Sequence, residues 1–285
     1  MNLSIYDARV LSFQARVVAP TSVVRDLAML VAASPAWTTP HPAQASTVFR
    51  VHTDTPGPGW QQVVRDGAAT WSGDDPAQVP PYLAWAISDA ALQHLRTSYL
   101  LFHGGAAAYR DRGLILPASS QSGKTTLVAG LLSAGFQYYS DDVVVLEPDT
   151  LELVPFAKCL NIKGGARGAL ASLYPRLEEA PHLGVGGESI WYLPPPETAL
   201  PGGPVPVRYV VVPSYAPGVE TALTPIARSE ALQCLVQQSF NLGAQGTQGM
   251  EQVVQLLRGA ACFALSVGDL ERAVRLLREL IESGV

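Results

Sequence analysis

Lysine is nearly missing from this chain of 285 residues. Only Lys124, Lys158 and Lys163 occur, and the other sixteen of its 19 Lys+Arg are arginines. Cysteine is scarce too: Cys159, Cys234 and Cys262 are widely spaced and odd in number. That excludes a disulfide framework and any paired-cysteine metal motif, and it predicts reduced, mostly buried thiols in a cytoplasmic protein. No apolar run reaches the roughly 18 residues that a membrane-spanning helix needs. Residues Met1–Pro20 carry acids and arginines without an apolar signal core, so export is not expected. Charge is sparse, at 15% of residues with a net −5, and no basic stripe exists to displace counterions from a nucleic acid. Arg272, Arg275 and Arg278 are interleaved with glutamates and read as a solvated helix face. There is no Gly-x-Ser-x-Gly, no His-Glu-x-x-His and no internal repeat.

What is present stands out against this background. The first lysine lies in Leu114-Ile-Leu-Pro-Ala-Ser-Ser-Gln-Ser-Gly-Lys-Thr-Thr126: an apolar strand, a Ser/Gly turn, and then Gly-Lys-Thr. A loop that turns successive backbone N–H groups inward and then opens a helix is suited to holding phosphate oxygens. Gly123 supplies conformational freedom, Lys124 a compact charge for outer phosphates, and Thr125 a hydroxyl for Mg²⁺. The expected phosphate-binding set is Ser119, Ser120, Gln121, Ser122, Gly123, Lys124, Thr125 and Thr126. Ala118 stands where the usual pattern opens with glycine. These residues predict ATP and Mg²⁺ as ligands.

The chain divides into two stretches. Residues 1–98 read as a small α+β module, with strand character in Asn2–Val18 and Val48–Val51. A hairpin is expected around Asp66-Gly67, Pro/Thr-rich loops over 34–42 and 53–59, and a helix over Tyr82–Tyr99. From residue 99 to 285 a mixed α/β pattern follows. Its predicted strands are Leu101–His103, Gly105–Tyr109, Gly113–Leu116, Val143–Leu146, Leu151–Val154, Arg208–Pro213 and Cys262–Val267. Its predicted helices are Thr125–Ala134, Ser229–Asn241, Met250–Ala261 and Leu270–Ser283.

Asp141 and Asp142 follow the phosphate-loop helix and precede the apolar run Val143–Leu146. Most phosphate-loop proteins place the metal-binding acid after such a strand, so the order here differs from the small-GTPase layout. Phosphotransfer needs one carboxylate near the metal and one to take the acceptor's proton, and two adjacent acids can divide these roles.

The series His103-Gly104, a strand pair, Ser-Gly-Lys-Thr, a helix closed by Gly135, and Asp141-Asp142 resembles the bacterial HPr serine kinase/phosphorylase family. It is more similar still to HPr-kinase-like proteins of bacterial gene clusters, including those that phosphorylate lasso-peptide precursors. The resemblance spans roughly residues 100–283. It implies a phosphate-loop kinase domain of the HPr kinase/PEP carboxykinase type, with Asp141 as catalytic base, Asp142 supporting metal or base, and Thr125 and Asp142 at the metal. His103 would line the acceptor side. Related kinases are often hexameric, which raises the prospect of a homo-oligomer. Two departures matter. Thr126 stands where the bifunctional enzymes carry an acid, and their Arg-Gly-Leu-Gly signature has no counterpart. The dephosphorylating reaction, and HPr as substrate, are therefore not expected.

Lys158 and Lys163 lie in Phe156–Gly165, and a cation there could clamp the transferring phosphoryl group. Lys163 ranks ahead because Gly164-Gly165 would let backbone approach a ligand. Glu188 is a weaker metal candidate. The leading expectation is an ATP-dependent phosphotransferase acting on a serine or similar hydroxyl of a peptide or small protein. The alternatives are a nucleotide-binding scaffold without transfer and a small-molecule kinase.

Overall fold

The computed structural model describes residues 2–31, 46–54, 57, 59–120, 122–185 and 187–284. Gln121 and the expected loop over 34–42 fall wholly or mainly outside them.

The chain begins with an antiparallel hairpin, β1 (Leu3–Val10) and β2 (Phe13–Pro20), with Leu11 at its turn in the left-handed region at φ 53°. The stretch Asn2–Val18, read as having strand character, thus forms two strands. Helix α1 (Thr21–Val31) follows and buries Val23, Leu27, Leu30 and Val31; the sequence reading did not anticipate it. Next come β3 (Thr47–Thr53), β4 (Gln61–Arg65) and β5 (Ala68–Gly73), completing a five-stranded sheet in the order β1-β2-β3-β4-β5. Asp66 and Gly67 both have positive φ, 49° and 88°, as a tight hairpin turn of this hand requires. Helix α2 (Val79–Leu95) starts before the expected Tyr82, with two prolines in its first turn, where a missing N–H costs nothing.

The second stretch opens with β6 (Leu100–Tyr109), one continuous strand where two were predicted, and β7 (Arg112–Pro117). Helix α3 (Lys124–Ser133) buries its continuous apolar run Leu127–Leu132. Then follow β8 (Gln137–Ser140), β9 (Val143–Leu146), β10 (Glu152–Val154) and β11 (Leu160–Lys163). The short α4 (Arg167–Leu170), β12 (His182–Val185), β13 (Glu188–Leu193) and β14 (Val205–Tyr215) come next. The chain continues with β15 (Ala222–Pro225), α5 (Arg228–Gln237), α6 (Leu242–Gly259), β16 (Ala261–Val267) and α7 (Leu270–Ser283). Helix α6 is longer than predicted and kinks at Gly246.

An eight-stranded sheet runs β10-β9-β6-β7-β14-β16-β15, with β8 also on β6. Strand β10 pairs with β14 as well, so β10, β9, β6, β7 and β14 close into a circuit. Strand β14 lies parallel to both β7 and β16, and its run Tyr209–Val211 is buried, as expected for a strand covered on both faces. Strands β11, β13 and β12 form a separate three-stranded sheet that the sequence reading missed.

One core packs β2, α1 and α2 against Leu101, Val143, Val145, Phe156 and Tyr192 from beyond residue 99. The two stretches therefore bury apolar surface against each other, which sets their relative position. Buried Asn241 ties the link between α2 and β6. It accepts from Leu101 N (3.0 Å) and donates to Arg96 O and Tyr99 O (2.7 Å each).

Candidate functional site

Strand β6 carries the site's geometry. Its first half pairs with β9 (His103↔Val143) and its second half with β8 (Ala106↔Ser140), so the Asp141-Asp142 turn between those strands sits beside Gly104. Gly104 N donates to Asp142 O at 3.0 Å. On its other side, Gly104 is opposite Pro117, where β7 ends and the Ser/Gly loop begins. A Cβ at Gly104 would lie 2.9 Å from Leu116 O, so glycine permits this approach. Segments distant in sequence thus meet across one strand.

Gly123 caps α3 in the left-handed region (φ 84°, ψ 9°), and Leu127 N donates to its carbonyl at 2.9 Å. The first-turn amides of α3 have no carbonyl a turn earlier in the helix to bond, which makes this end a natural anion cradle. Lys124 is only 6% exposed, and its Nζ donates to Ala118 O (2.9 Å) and Ser119 O (2.6 Å). Burial pushes its ammonium below the ordinary lysine range, against the opposing pull of Asp142 and Asp141. Ser122 Oγ is buried and has no hydrogen-bond partner among the described residues, which leaves it a donor for a ligand oxygen.

The two acids occupy different environments. Asp141 is 3% exposed and accepts from Tyr138 Oη at 2.9 Å. Asp142 keeps 52% of its side chain exposed, with His103 Nε2 at 3.5 Å from Oδ1 and Lys158 Nζ at 3.8 Å from Oδ2. Burial alone would raise the Asp142 carboxyl. The His103 contact, then the charges of Lys158, His103 and Lys124, outweigh it and hold the group well below the usual carboxylate range. Solvent screens part of this effect, given the exposure.

Of the two lysines beyond the loop, the structure buries Lys158, which the sequence reading placed second. Its side chain is 13% exposed, and Nζ lies 4.0 Å from Asp141 Oδ1 as well as 3.8 Å from Asp142 Oδ2. Burial pulls its pKa down, but the two carboxylates more than compensate and raise it. Lys163 lines the same cavity from its rim and is exposed there, paired with Glu188 at 3.1 Å. The signal that could have ranked Lys158 first is its context, Pro-Phe-Ala-Lys-Cys-Leu, an apolar frame that buries a lysine only where acids await it. Tyr138, which anchors Asp141, and Asn161, which lines the cavity, were not anticipated either.

A cavity of about 520 Å³ brings together His103, Ser120, Ser122, Gly123, Lys124, Thr125 and Thr126 with Asp141, Asp142, Lys158 and Lys163. Ser119 belongs to the same loop but does not line it; Gln121 lies outside the described residues. Among the described residues, no group of three or more His, Cys, Asp or Glu could form a metal cage. Mg²⁺ typically draws one or two carboxylates from the protein and takes its other ligands from phosphates and water. The Thr125 hydroxyl and the acidic pair are oxygen donors of that kind. Among the described residues, no helix is long and apolar enough to cross a membrane.

No family model matches the sequence, and no curated protein does. Among solved structures, the Hpr(Ser) kinase/phosphatase from Coxiella burnetii is similar to it. The match has 13% identity and a TM-score of 0.30, and covers 64% of this chain and 98% of that one.

Proposed function

We propose that the protein is an ATP-dependent phosphotransferase of the HPr-kinase-like type that phosphorylates a hydroxyl on a peptide or small protein. The observation that carries this reading is Lys158. It is nearly buried between two carboxylates, in the same cavity as the Gly123-Lys124-Thr125 loop. A binding-only loop has no use for a desolvated cation flanked by acids; a phosphoryl group in transit does.

In this reading the loop amides, the orphan Ser122 hydroxyl and Lys124 hold the nucleotide's phosphates. Lys124 would exchange its loop carbonyls for phosphate oxygens. Mg²⁺ held by Thr125 and the acidic pair would neutralise charge between the outer phosphates. Asp142 takes the acceptor's proton, because it is the exposed member of the pair, and His103 orients it. Asp141, locked by Tyr138, positions Lys158. This exchanges the roles that the family resemblance implies for the two acids. The acceptor oxygen bonds to the terminal phosphorus, the bond to the bridging oxygen breaks, and ADP departs. The hydroxyl proton passes to Asp142 and then to solvent. A carboxylate kept ionised suits this loose transfer, because the proton leaves late, once the oxygen has become strongly acidic.

Incubating the protein with γ-labelled ATP and candidate polypeptides tests the reading. Label should enter polypeptide in wild type and be absent in Lys124→Ala, which should also lose the ATP-dependent thermal shift. A wild-type shift without labelled product would make the protein a nucleotide-binding scaffold, and label in metabolites alone would make it a small-molecule kinase.

A further inference from the structure

A second cavity, of about 400 Å³, also reaches Asp142 and Lys158. Its walls come from the first 98 residues and from β13, and include Trp71, Tyr82, Trp85 and Tyr192. Asp142, Lys158 and Asn161 line both this cavity and the phosphate-loop cavity. The two spaces therefore meet at the acid and the cation to which the transfer step is assigned.

We infer that this second cavity is the acceptor site. It takes an extended polypeptide segment whose seryl or threonyl hydroxyl reaches Asp142 while an adjacent aromatic or other uncharged side chain rests on the wall. The inference rests on the phosphotransferase reading above and names its substrate class. In-line transfer places acceptor and leaving group on opposite sides of the phosphorus. A pocket whose lining overlaps that of the phosphate-loop cavity at Asp142, Lys158 and Asn161 alone gives the acceptor its own approach to the point of transfer.

The wall chemistry selects the occupant. Trp71 stacks on Tyr82 (centroids 5.7 Å, 28° between planes), and Tyr82 leans on Trp85 at 5.8 Å. Among the described lining residues, Asp142 and Lys158 alone are charged. Asp142 and Lys158 are paired with each other at 3.8 Å, so a charged side chain beside the acceptor hydroxyl would be desolvated against aromatic rings without a free counter-charge, whereas an aromatic one would add ring contacts. Two features favour a polypeptide over a small molecule. Trp85 lines the cavity yet is 62% exposed, so an occupant that covers it reaches from the pocket onto the open surface. Trp71 also lies on β5, the edge strand of the five-stranded sheet, where an extended segment can find main-chain partners.

The test uses the full chain, γ-labelled ATP, and serine-centred synthetic peptides that differ only in having Trp, Asp or Lys beside the serine. The Trp-flanked peptide should be labelled with a kcat/KM at least about tenfold above the others. Trp85→Ala, at an exposed position whose truncation threatens no core, should raise the KM for that peptide about tenfold while the ATP-dependent thermal shift persists. Adding the Trp-free analogue, with Phe beside the serine, should change the protein's own tryptophan fluorescence in wild type and much less in Trp85→Ala. Equal labelling of charged-flank peptides, or an unchanged KM in Trp85→Ala, would overturn the inference. An ATP-dependent shift with no polypeptide labelled at all would sink the phosphotransferase reading, and this inference with it. Loss of the shift itself in wild type would do the same.

Discussion

Lys158 Nζ stands 3.8 Å from Asp142 Oδ2, at the place where the phosphate-loop cavity and the aromatic cavity meet. In the proposed phosphotransfer, a cation there would contribute in proportion to the charge that develops on the moving phosphoryl group. Lys158→Met should therefore lower turnover by about 10²-fold or more with little change in ATP affinity. Lys163→Ala, which removes an exposed partner of Glu188, should have a much smaller effect. Comparable losses at both lysines, measured by steady-state kinetics, would contradict the central role given to Lys158.

The two acids should separate by kinetics. Asp142→Asn should cut kcat by about 10²- to 10⁴-fold while the ATP-dependent thermal shift survives, as expected for a lost proton acceptor. Asp141→Asn retains a hydrogen-bond acceptor for Tyr138 and should be milder. The opposite ranking would restore the roles that the family resemblance implies.

Asp142 also predicts an acid-dependent stability difference. Its folded pKa is depressed, so its favourable contribution is complete above the ordinary carboxylate pKa and is lost as pH falls through the folded value. The groups responsible are His103, Lys158 and Lys124. Urea midpoints of wild type and Asp142→Asn should differ near neutral pH and converge as the medium becomes acidic. A gap that stays constant with pH would show that the carboxylate's charge is not what stabilises the fold.

Gly123 is held at φ 84°, and an added Cβ would meet Tyr215 Cβ at 3.3 Å. Gly123→Ala should destabilise the protein by roughly 1–2 kcal/mol, the usual cost of a left-handed L-residue. It should also weaken the ATP-dependent thermal shift by re-aiming the amides of α3. Full retention of both properties in a melting experiment would show that the turn tolerates another conformation.

Asn241→Ala removes three hydrogen bonds and takes the side-chain partner from Leu101 N and Tyr99 O, while Arg96 O keeps Gln245 Nε2 at 2.9 Å. Leaving such groups unpaired costs about 1–3 kcal/mol each when no water can reach them. The variant should lose several kcal/mol in urea denaturation, and a neutral outcome would mean that water replaces the amide.

The Gly123 turn that opens α3 and the Asp66-Gly67 hairpin were legible in the sequence because each is a local device. A turn, a cap or a phosphate cradle needs particular residue types within a few positions of one another, and composition elsewhere cannot disguise them. The buried strands β7, β9 and β14 were legible for a similar reason: strands covered on both faces read as unbroken apolar runs. Tertiary structure alone decided the rest. Helix α1 and the sheet β11-β13-β12 owe their form to packing across the whole chain, which a short apolar pattern does not disclose. The ranking of Lys158 over Lys163 belongs here as well. Both are lysines in one short segment, and only strand pairing and burial determine which ammonium faces the acids and which faces solvent. The aromatic wall is the furthest from sequence, because Trp71, Tyr82 and Tyr192 come together only once the five-stranded sheet, α2 and β13 have been packed around one cavity.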